Sequence, residues 1–399
     1  MGLIVNIKEI LLDQLEDARA VLAKCRVPRL PEPLLKASLK DPLVKVISGV
    51  RRCGKSVLAH RVLAGLTYGY ANFDDERLAD LKAADLNLVL EAMLELNPGM
   101  RYVLLDEIQN VGRWELFVNR LQRAGYSVVI TGSNSHLLSR DLATHLTGRH
   151  KIFEIYPYSF GEYLSARGTR IPGKVLSTRD RAALGAAFGD YFLAGGFPEL
   201  PLIVDKKSYL RDLYEKILTQ DIALRHGVRH IRTLKDIALY TGNNCSSRLF
   251  YKKMQEAYEI GSVHTVKNYL SYMEEAYLFF AVEAFSRKQR ECVRLPRKMY
   301  GIDPALIRAI SVTGQRNEGR LLENLVYIEL LRRGRKIEYY SDPQRKYEVD
   351  FVCGAEGGGV ELVQVCLDPS QAEVRERELR GLRSALGVFK RVKPDGVTV

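Results

Sequence analysis

Val44-Lys45-Val46-Ile47-Ser48-Gly49-Val50-Arg51-Arg52-Cys53-Gly54-Lys55-Ser56-Val57-Leu58 reads as a buried strand, a G-x-x-x-x-G-K-S loop and the first turn of a helix. Gly49 and Gly54 let the backbone curl, so that N–H groups from Gly49 through Val50, Arg51, Arg52, Cys53, Gly54, Lys55, Ser56 and Val57 converge on a phosphate. A helix opening at Lys55 adds the positive end of its dipole to the same anion site. Lys55 is expected to reach the β- and γ-phosphates, and the Ser56 hydroxyl to hold Mg²⁺. The strand before and the helix after separate this stretch from a chance match in a glycine turn. It predicts a site for a nucleoside triphosphate held with Mg²⁺.

From Val44 onward, strand and helix patterns alternate, which predicts a parallel sheet with crossover helices. The expected strands are Val44–Ser48, Tyr70–Phe73, Tyr102–Leu105, Val128–Thr131 and a last one near Lys151–Ile155. Before them, Ile7, Ile10, Leu11, Leu15, Ala18, Val21 and Leu22 recur at helical spacing, and a connector follows with Pro28, Pro31 and Pro33. A triphosphate site also needs a carboxylate for Mg²⁺ and one for water. Asp106 and Glu107 supply them where the apolar run Tyr102-Val103-Leu104-Leu105 ends, Asp106 anchoring the metal and Glu107 activating the attacking water. The next strand ends in Gly132-Ser133-Asn134-Ser135, where Asn134 or Ser133 would sense the γ-phosphate. The alternative for Asn134 is a plain cap for the helix begun by His136-Leu137-Leu138.

A chain of 399 residues predicts two or three domains, and 46% hydrophobic with 27% charged residues is a globular composition. No run approaches the ~18 apolar residues of a membrane span, and the N-terminus lacks the basic-then-apolar layout of a signal peptide. The expected placement is therefore cytoplasmic, away from membranes. Six cysteines without a C-x-x-C pair, and seven histidines without H-E-x-x-H, argue against zinc and against a disulfide framework. The net charge of +12 favours a polyanion such as nucleic acid, although solubility or thermal adaptation would use the same excess.

Gly49–Ser56, Leu105-Asp106-Glu107-Ile108-Gln109, Thr131-Gly132-Ser133-Asn134-Ser135, Leu146-Thr147-Gly148-Arg149 and Tyr156-Pro157-Tyr158-Ser159-Phe160-Gly161-Glu162-Tyr163 together resemble the predicted AAA-type ATPases of archaea and bacteria that carry a C-terminal domain of unknown function. The resemblance runs from about residue 40 to 390. It implies an α/β P-loop NTPase core of the AAA type, and for Arg149 the role of an arginine finger or sensor arginine, with Arg140 in reserve. An arginine supplied by a neighbouring copy would make hydrolysis depend on a homo-oligomer. Asn72-Phe73-Asp74-Asp75-Glu76-Arg77 matches the family's second strand, and its acids are read as lying near the site, at a subunit contact or in a solvated turn. Tyr191-Phe192-Leu193-Ala194-Gly195-Gly196-Phe197-Pro198-Glu199 belongs to the resemblance too and is expected to help form a helical lid.

The middle of the chain reads as a winged helix. Ser262 is an N-cap for a helix with Val263, Val266, Leu270 and Met273 on one face and His264, Thr265, Lys267, Asn268 and Ser271 on the other. Such a polar face suits the major groove, with His264, Lys267 and Asn268 as DNA contacts. Helical patterns at Leu234–Tyr240 and Arg248–Glu259 precede it, and a β-hairpin follows. Arg287, Lys288, Arg290, Arg294, Arg297 and Lys298 in that wing would meet phosphates, unless the module packs on a partner domain instead.

At the C-terminal end, a long helix (Arg320–Arg333) precedes strands Lys336–Tyr340, Glu348–Cys353 and Val360–Cys366. Glu323 on the helix, Asp350 on one strand and Gln364 with Cys366 at the E-x-K positions of the next make the layout of a restriction-type nuclease, but with a poor metal ligand and no ammonium. The resembling family commonly shows this Q-V-C form, which implies a domain that has lost its chemistry; Glu361 is the third carboxylate through which cleavage could persist.

The whole reads as an AAA-type core (1–155), a helical lid (156–225), a winged helix (226–300) and an α/β restriction-nuclease-like domain (301–399). The expected activity is Mg²⁺-dependent ATP hydrolysis coupled to binding or remodelling of DNA. The alternative is a nucleotide switch acting on a protein partner with little turnover.

Overall fold

Every residue of Val44–Ser48 is buried, which a strand achieves only inside a sheet covered on both faces. In the computed structural model this strand, β1, lies in a five-stranded parallel sheet with β2 (Tyr68–Asn72), β3 (Tyr102–Asp106), β4 (Ser127–Gly132) and β5 (His150–Glu154), in the order β2-β3-β4-β1-β5. Ser48 stands beside Gly132 and Glu154, and Asn72 beside Asp106, so the strands end together along one carboxyl edge. Loops leaving such an edge are where α/β sheets bind ligands. The structure describes residues 2–25, 27–133, 149–169, 176–286, 295–311, 317–342, 347–355, 359–389 and 392–398.

The chain divides into two compact units, Met1–Ala183 with Phe197–Glu199, and Leu184–Gly196 with Leu200–Val399. In the first, the sheet is covered by α1 (Gly2–Lys24), α2 (Glu32–Ser38), α3 (Lys55–Leu63), α4 (Leu86–Leu96) and α5 (Trp114–Arg123), with α6 (Phe160–Ala166) beyond β5. Ile7, Ile10 and Leu11 of α1 join the core that also holds Val103, Leu105 and Ile130. α1 serves the edge strand as well. Gln14 accepts from the Asn72 N–H (2.9 Å) and donates to the Asn72 carbonyl (3.0 Å), closing the end of β2. β2 starts two residues before the expected Tyr70. Gly69 hides that start from an apolar pattern, yet only glycine fits, since a Cβ there would lie 2.6 Å from Met100 Sδ.

The second unit receives α7 (Thr178–Ala194) from the first and continues through α8 (Lys206–Lys216), a π-helical stretch (Ile217–Leu224) and α9 (Ile231–Asn243). Then come β6 (Ser247–Leu249), α10 (Tyr251–Ala257), α11 (Val263–Glu275), β7 (Phe279–Val282) and β8 (Arg297–Gly301), the strands pairing antiparallel as β6-β8-β7. The helix expected over Arg248–Glu259 therefore opens as a strand, in which Arg248 lies opposite Lys298. α12 (Pro304–Ile310) and α13 (Glu318–Arg332) lead to β9 (Ile337–Ser341), β10 (Glu348–Ala355), β11 (Gly359–Val363), α14 (Ala372–Val388) and β12 (Val392–Thr398), in the sheet order β12-β11-β10-β9. β11 stops at Val363, short of the expected Cys366. The Gly195-Gly196 turn has a definite cause. Asp303 caps α12 and accepts from the Gly196 N–H (2.8 Å), and at Gly195 (φ +88°) a Cβ would strike the same carboxylate at 2.6 Å.

Candidate functional site

The loop after β1 has the conformation its glycines require. A Cβ on Gly49 would sit 2.1 Å from the Ile155 carbonyl, and Gly54 takes φ +93° at the N-cap of α3. Arg52 adopts φ +66° between them, which helps turn successive N–H groups to one side. Lys55 is buried, its ammonium 3.2 Å from both the Gly49 and Val50 carbonyls and 3.7 Å from Glu107 Oε1. α3 thus delivers the cation, and β1 delivers the loop that surrounds it.

β3 and β4 bring the carboxylates. Asp106 is buried and hydrogen-bonded to Thr131, Ser56 and Tyr70. Burial pushes its carboxyl up to about 6, with the neighbouring Glu107 charge adding to the rise. Glu107 has φ +50°, a left-handed backbone that costs a non-glycine residue on the order of 1 kcal/mol and that recurs at functional sites. Its N–H bonds Thr131 Oγ1 (3.2 Å), and Gln109 donates to its carboxylate. Thr131, at the end of β4, therefore joins both acids. Sequence reasoning passed over it for Ser133 and Asn134, although the polar strand end was itself the signal. Ser56 and Asp106 line one cleft of about 580 Å³ with Arg52 and Tyr70. A buried carboxylate with a raised pKa beside a hydroxyl is a donor set that fits a hard divalent cation.

Arg29, which the sequence did not single out, holds the loop from behind. It is buried, and its guanidinium donates to the Cys53 carbonyl (2.7 Å), the Tyr156 carbonyl (2.5 Å) and Glu162 Oε1 (3.0 Å), lying 4.9 Å from the Tyr158 ring centroid. Glu162 completes a capping box with Ser159 at the start of α6 and accepts from the Leu30 N–H. The Tyr156–Tyr163 motif thus buttresses the phosphate loop. Glu199 does so from outside, accepting from Arg52 at 2.9 Å.

Other expected residues fall elsewhere. Asn134 and Arg140 lie outside the described residues. Arg149 is exposed, and its carbonyl accepts from the Val44 N–H, at the amino end of β1. The loop leaves the other end of that strand, five residues or about 16 Å away, beyond the span of an arginine side chain. Arg149 does not reach the phosphate loop of its own chain.

In the second unit, α11 buries Val266, Tyr269, Leu270 and Met273 and presents His264 and Lys267 to solvent, with Asn268 half-buried. Ser262 caps it, accepting from the Thr265 N–H (3.1 Å). Arg287, Lys288, Arg290 and Arg294 lie outside the described residues. The reading of Lys298 as a phosphate contact is wrong. Lys298 is buried, its ammonium 2.9 Å from Glu323, 2.5 Å from Glu348 and 3.2 Å from Asp350, and the adjacent Arg297 pairs with Glu283. Glu323, Asp350 and Gln364 do come together, and Cys366 lines the same cleft of about 410 Å³. Glu361 does not join them, because it stands opposite Cys353 and pairs with Arg335. Glu378 of α14, which the sequence reading missed, does, accepting from Gln364 Nε2 (2.7 Å). Among the described residues, no group of three or more His, Cys, Asp or Glu side chains is arranged to hold a metal ion, and no helix is long and apolar enough to cross a membrane.

Residues 41–164 match the family model described as an AAA domain, and residues 185–317 match that of a domain of unknown function. An uncharacterized protein of Methanocaldococcus jannaschii is 33% identical over 98% of this chain and 87% of its own length. An uncharacterized protein of Haemophilus influenzae is 32% identical over 77% of this chain and 79% of its own. Among solved structures, a Walker-type ATPase of Pyrococcus abyssi is similar, with a TM-score of 0.43 at 15% identity over 71% of this chain and 96% of that one.

Proposed function

The chain belongs to an AAA-type ATPase family shared with these archaeal and bacterial relatives, and from that premise we propose that it binds and hydrolyses ATP with Mg²⁺ and couples this to binding or remodelling DNA as a homo-oligomer. The observation that carries the reading is the convergence of Lys55, Ser56, Asp106, Glu107 and Thr131 on one sheet edge, with the ammonium 3.7 Å from Glu107. Ser56 and Asp106 would hold Mg²⁺, which supplies charge neutralisation at the phosphates. Lys55 would turn from its loop carbonyls to the β- and γ-phosphates. Glu107, oriented by Gln109 and Thr131, would take the proton of the attacking water. Asn134 is proposed to sense the γ-phosphate, and Arg149 to act on a neighbouring copy's nucleotide.

The DNA part rests on different residues. β6, α10, α11, β7 and β8 follow in the order of a winged helix with its sheet order β6-β8-β7, and α11 carries His264, Lys267 and Asn268 on its open face. The chain's net charge of +12 favours such a partner. The C-terminal domain is proposed to lack nuclease activity.

Steady-state ATPase rates measured without DNA and with duplex, single strand, fork and four-way junction test the proposal, with Lys55→Ala and Glu107→Gln alongside. One DNA form should raise turnover several-fold, and both variants should abolish it. Turnover that is slow and blind to every DNA would sink the DNA reading and leave a nucleotide switch working through a protein partner.

A further inference from the structure

In the acidic centre of the second unit, five of the six oxygens of Glu323, Glu348 and Asp350 face N–H or O–H donors. Lys298 reaches one oxygen each of Glu323, Glu348 and Asp350. The Tyr300 hydroxyl donates to the same Glu323 oxygen (2.7 Å), and Arg248 pairs with the other oxygen of Glu348. The second oxygen of Asp350 accepts from Gln364 Nε2 (2.9 Å) and the Val365 N–H (3.0 Å). Gln364, neutral where a carboxylate ligand would be charged, turns its carbonyl to the Asp350 N–H (3.2 Å).

A nuclease of this layout holds a divalent cation between two or three carboxylates, and such a cation needs oxygen lone pairs turned toward it. Here five of the six oxygens of Glu323, Glu348 and Asp350 already face donors from β6, β8 and the segment after β11, and three of them share the Lys298 ammonium. The residues present do not fit a metal. We propose that Lys298 is the centre's built-in counter-ion: one ammonium stands where a nuclease would hold a divalent cation, and the result is a metal-free ion network fastening β8 to α13 and β10.

The charges support this. Burial raises the Glu323 and Asp350 carboxyls above their ordinary values, whereas at Glu348 burial is outweighed by Lys298 and Arg248, which hold it below its own. The negative charge at pH 7 therefore falls short of three, against the two positive charges of Lys298 and Arg248. Burial alone would lower the Lys298 pKa, but the three carboxylates outweigh it and hold it above the ordinary value, so the ammonium stays charged. Lys298 lies 25 residues before Glu323 and 52 before Asp350, so the network pins chain segments that no local interaction would hold together.

Two measurements on the full chain test the proposal. In the first, the thermal midpoint of nucleotide-free Asp106→Asn protein, which lacks the β3 carboxylate beside Ser56, is compared in EDTA and in millimolar Mn²⁺. No shift is expected. A rise of several degrees would overturn the proposal, because a ligand bound by the folded state must stabilise it. In the second, free Mn²⁺ is followed by electron paramagnetic resonance. With Lys298→Met added in the same background, one Mn²⁺ site should appear, at least tenfold tighter than any Mn²⁺ binding by the Asp106→Asn parent, and Glu323→Gln should remove it. A folded Lys298→Met chain with no new site would show that the ammonium is not occupying a cation position. The first measurement needs no Lys298 variant, so it decides the question even if that substitution unfolds the chain.

Discussion

Asp106 is the residue at which stability and chemistry conflict. A carboxyl moved from 3.8 to about 6 binds its proton more tightly in the folded chain than in the unfolded one. Its favourable contribution is complete below about pH 4 and is lost as pH rises through 6. By pH 7 the ionised group costs on the order of 3 kcal/mol, since each tenfold change in proton affinity is worth about 1.4 kcal/mol. Asp106→Asn should therefore raise the urea midpoint of the nucleotide-free chain at pH 7, with the gain shrinking toward zero near pH 4. The same variant should lose at least a hundredfold in ATP turnover. Equal gains at both pH values would show that the carboxyl is not strained by burial. Arg29 presents the opposite case, a residue that stabilises by shaping the site. Arg29→Lys keeps the charge but cannot reach Cys53, Tyr156 and Glu162 together. It should weaken binding of a fluorescent ATP analogue about tenfold while the chain stays folded. Arg29→Ala leaves the buried Glu162 carboxylate with its backbone donors but without a cation, and should cost on the order of 3 kcal/mol in urea unfolding as well.

At the scale of elements, α11 makes the sharpest prediction. If its open face meets DNA, Lys267→Ala should lower affinity for every duplex alike and flatten the slope of log affinity against log salt by about one. Asn268→Ala should weaken binding unevenly across sequences, as loss of a base contact does. Anisotropy titrations at several salt concentrations separate the two, and unchanged binding in both variants would remove α11 from the interface. The ease with which such elements were read varies for physical reasons. β1, β3, β4 and the opening of α3 were legible because their signals are local: short apolar runs, two glycines at fixed spacing, and acids where a strand stops. β2 was misplaced because Gly69 reports a close sulfur contact rather than an apolar face. Arg248 looked helical but opens in a strand, its partner Lys298 lying 50 positions onward. Lys298 itself sits in a run of cations, the usual mark of a solvated surface, and only partners 25 to 52 residues later make it a buried ion. Arg29 was invisible for the same reason, since Glu162 is 133 residues away.

The whole molecule raises the question of how many copies make one active site. Arg149 stands at the amino end of β1 and β5, and the phosphate loop at the carboxyl end of the same sheet. An arginine so placed reaches a triphosphate only if that triphosphate belongs to a second copy presenting its carboxyl edge. Hydrolysis would then fall off with dilution faster than nucleotide binding does, because binding needs one copy and turnover needs two. The decisive form of the experiment mixes two dead proteins. Lys55→Ala lacks the loop ammonium but keeps Arg149; Arg149→Ala keeps an intact loop but lacks the finger. Each alone should turn over at least a hundredfold slower than the parent chain. Mixed, an Arg149→Ala copy can take the arginine of a Lys55→Ala neighbour. Activity per Arg149→Ala chain should therefore rise as Lys55→Ala is added in excess, toward a plateau set by how often the two kinds sit side by side. A mixture that stays inactive while size-exclusion chromatography shows mixed oligomers would mean that Arg149 does not act between copies. An Arg149→Ala protein with full activity would remove it from the chemistry altogether, and any dependence on assembly would then have to arise from another cation of this basic chain.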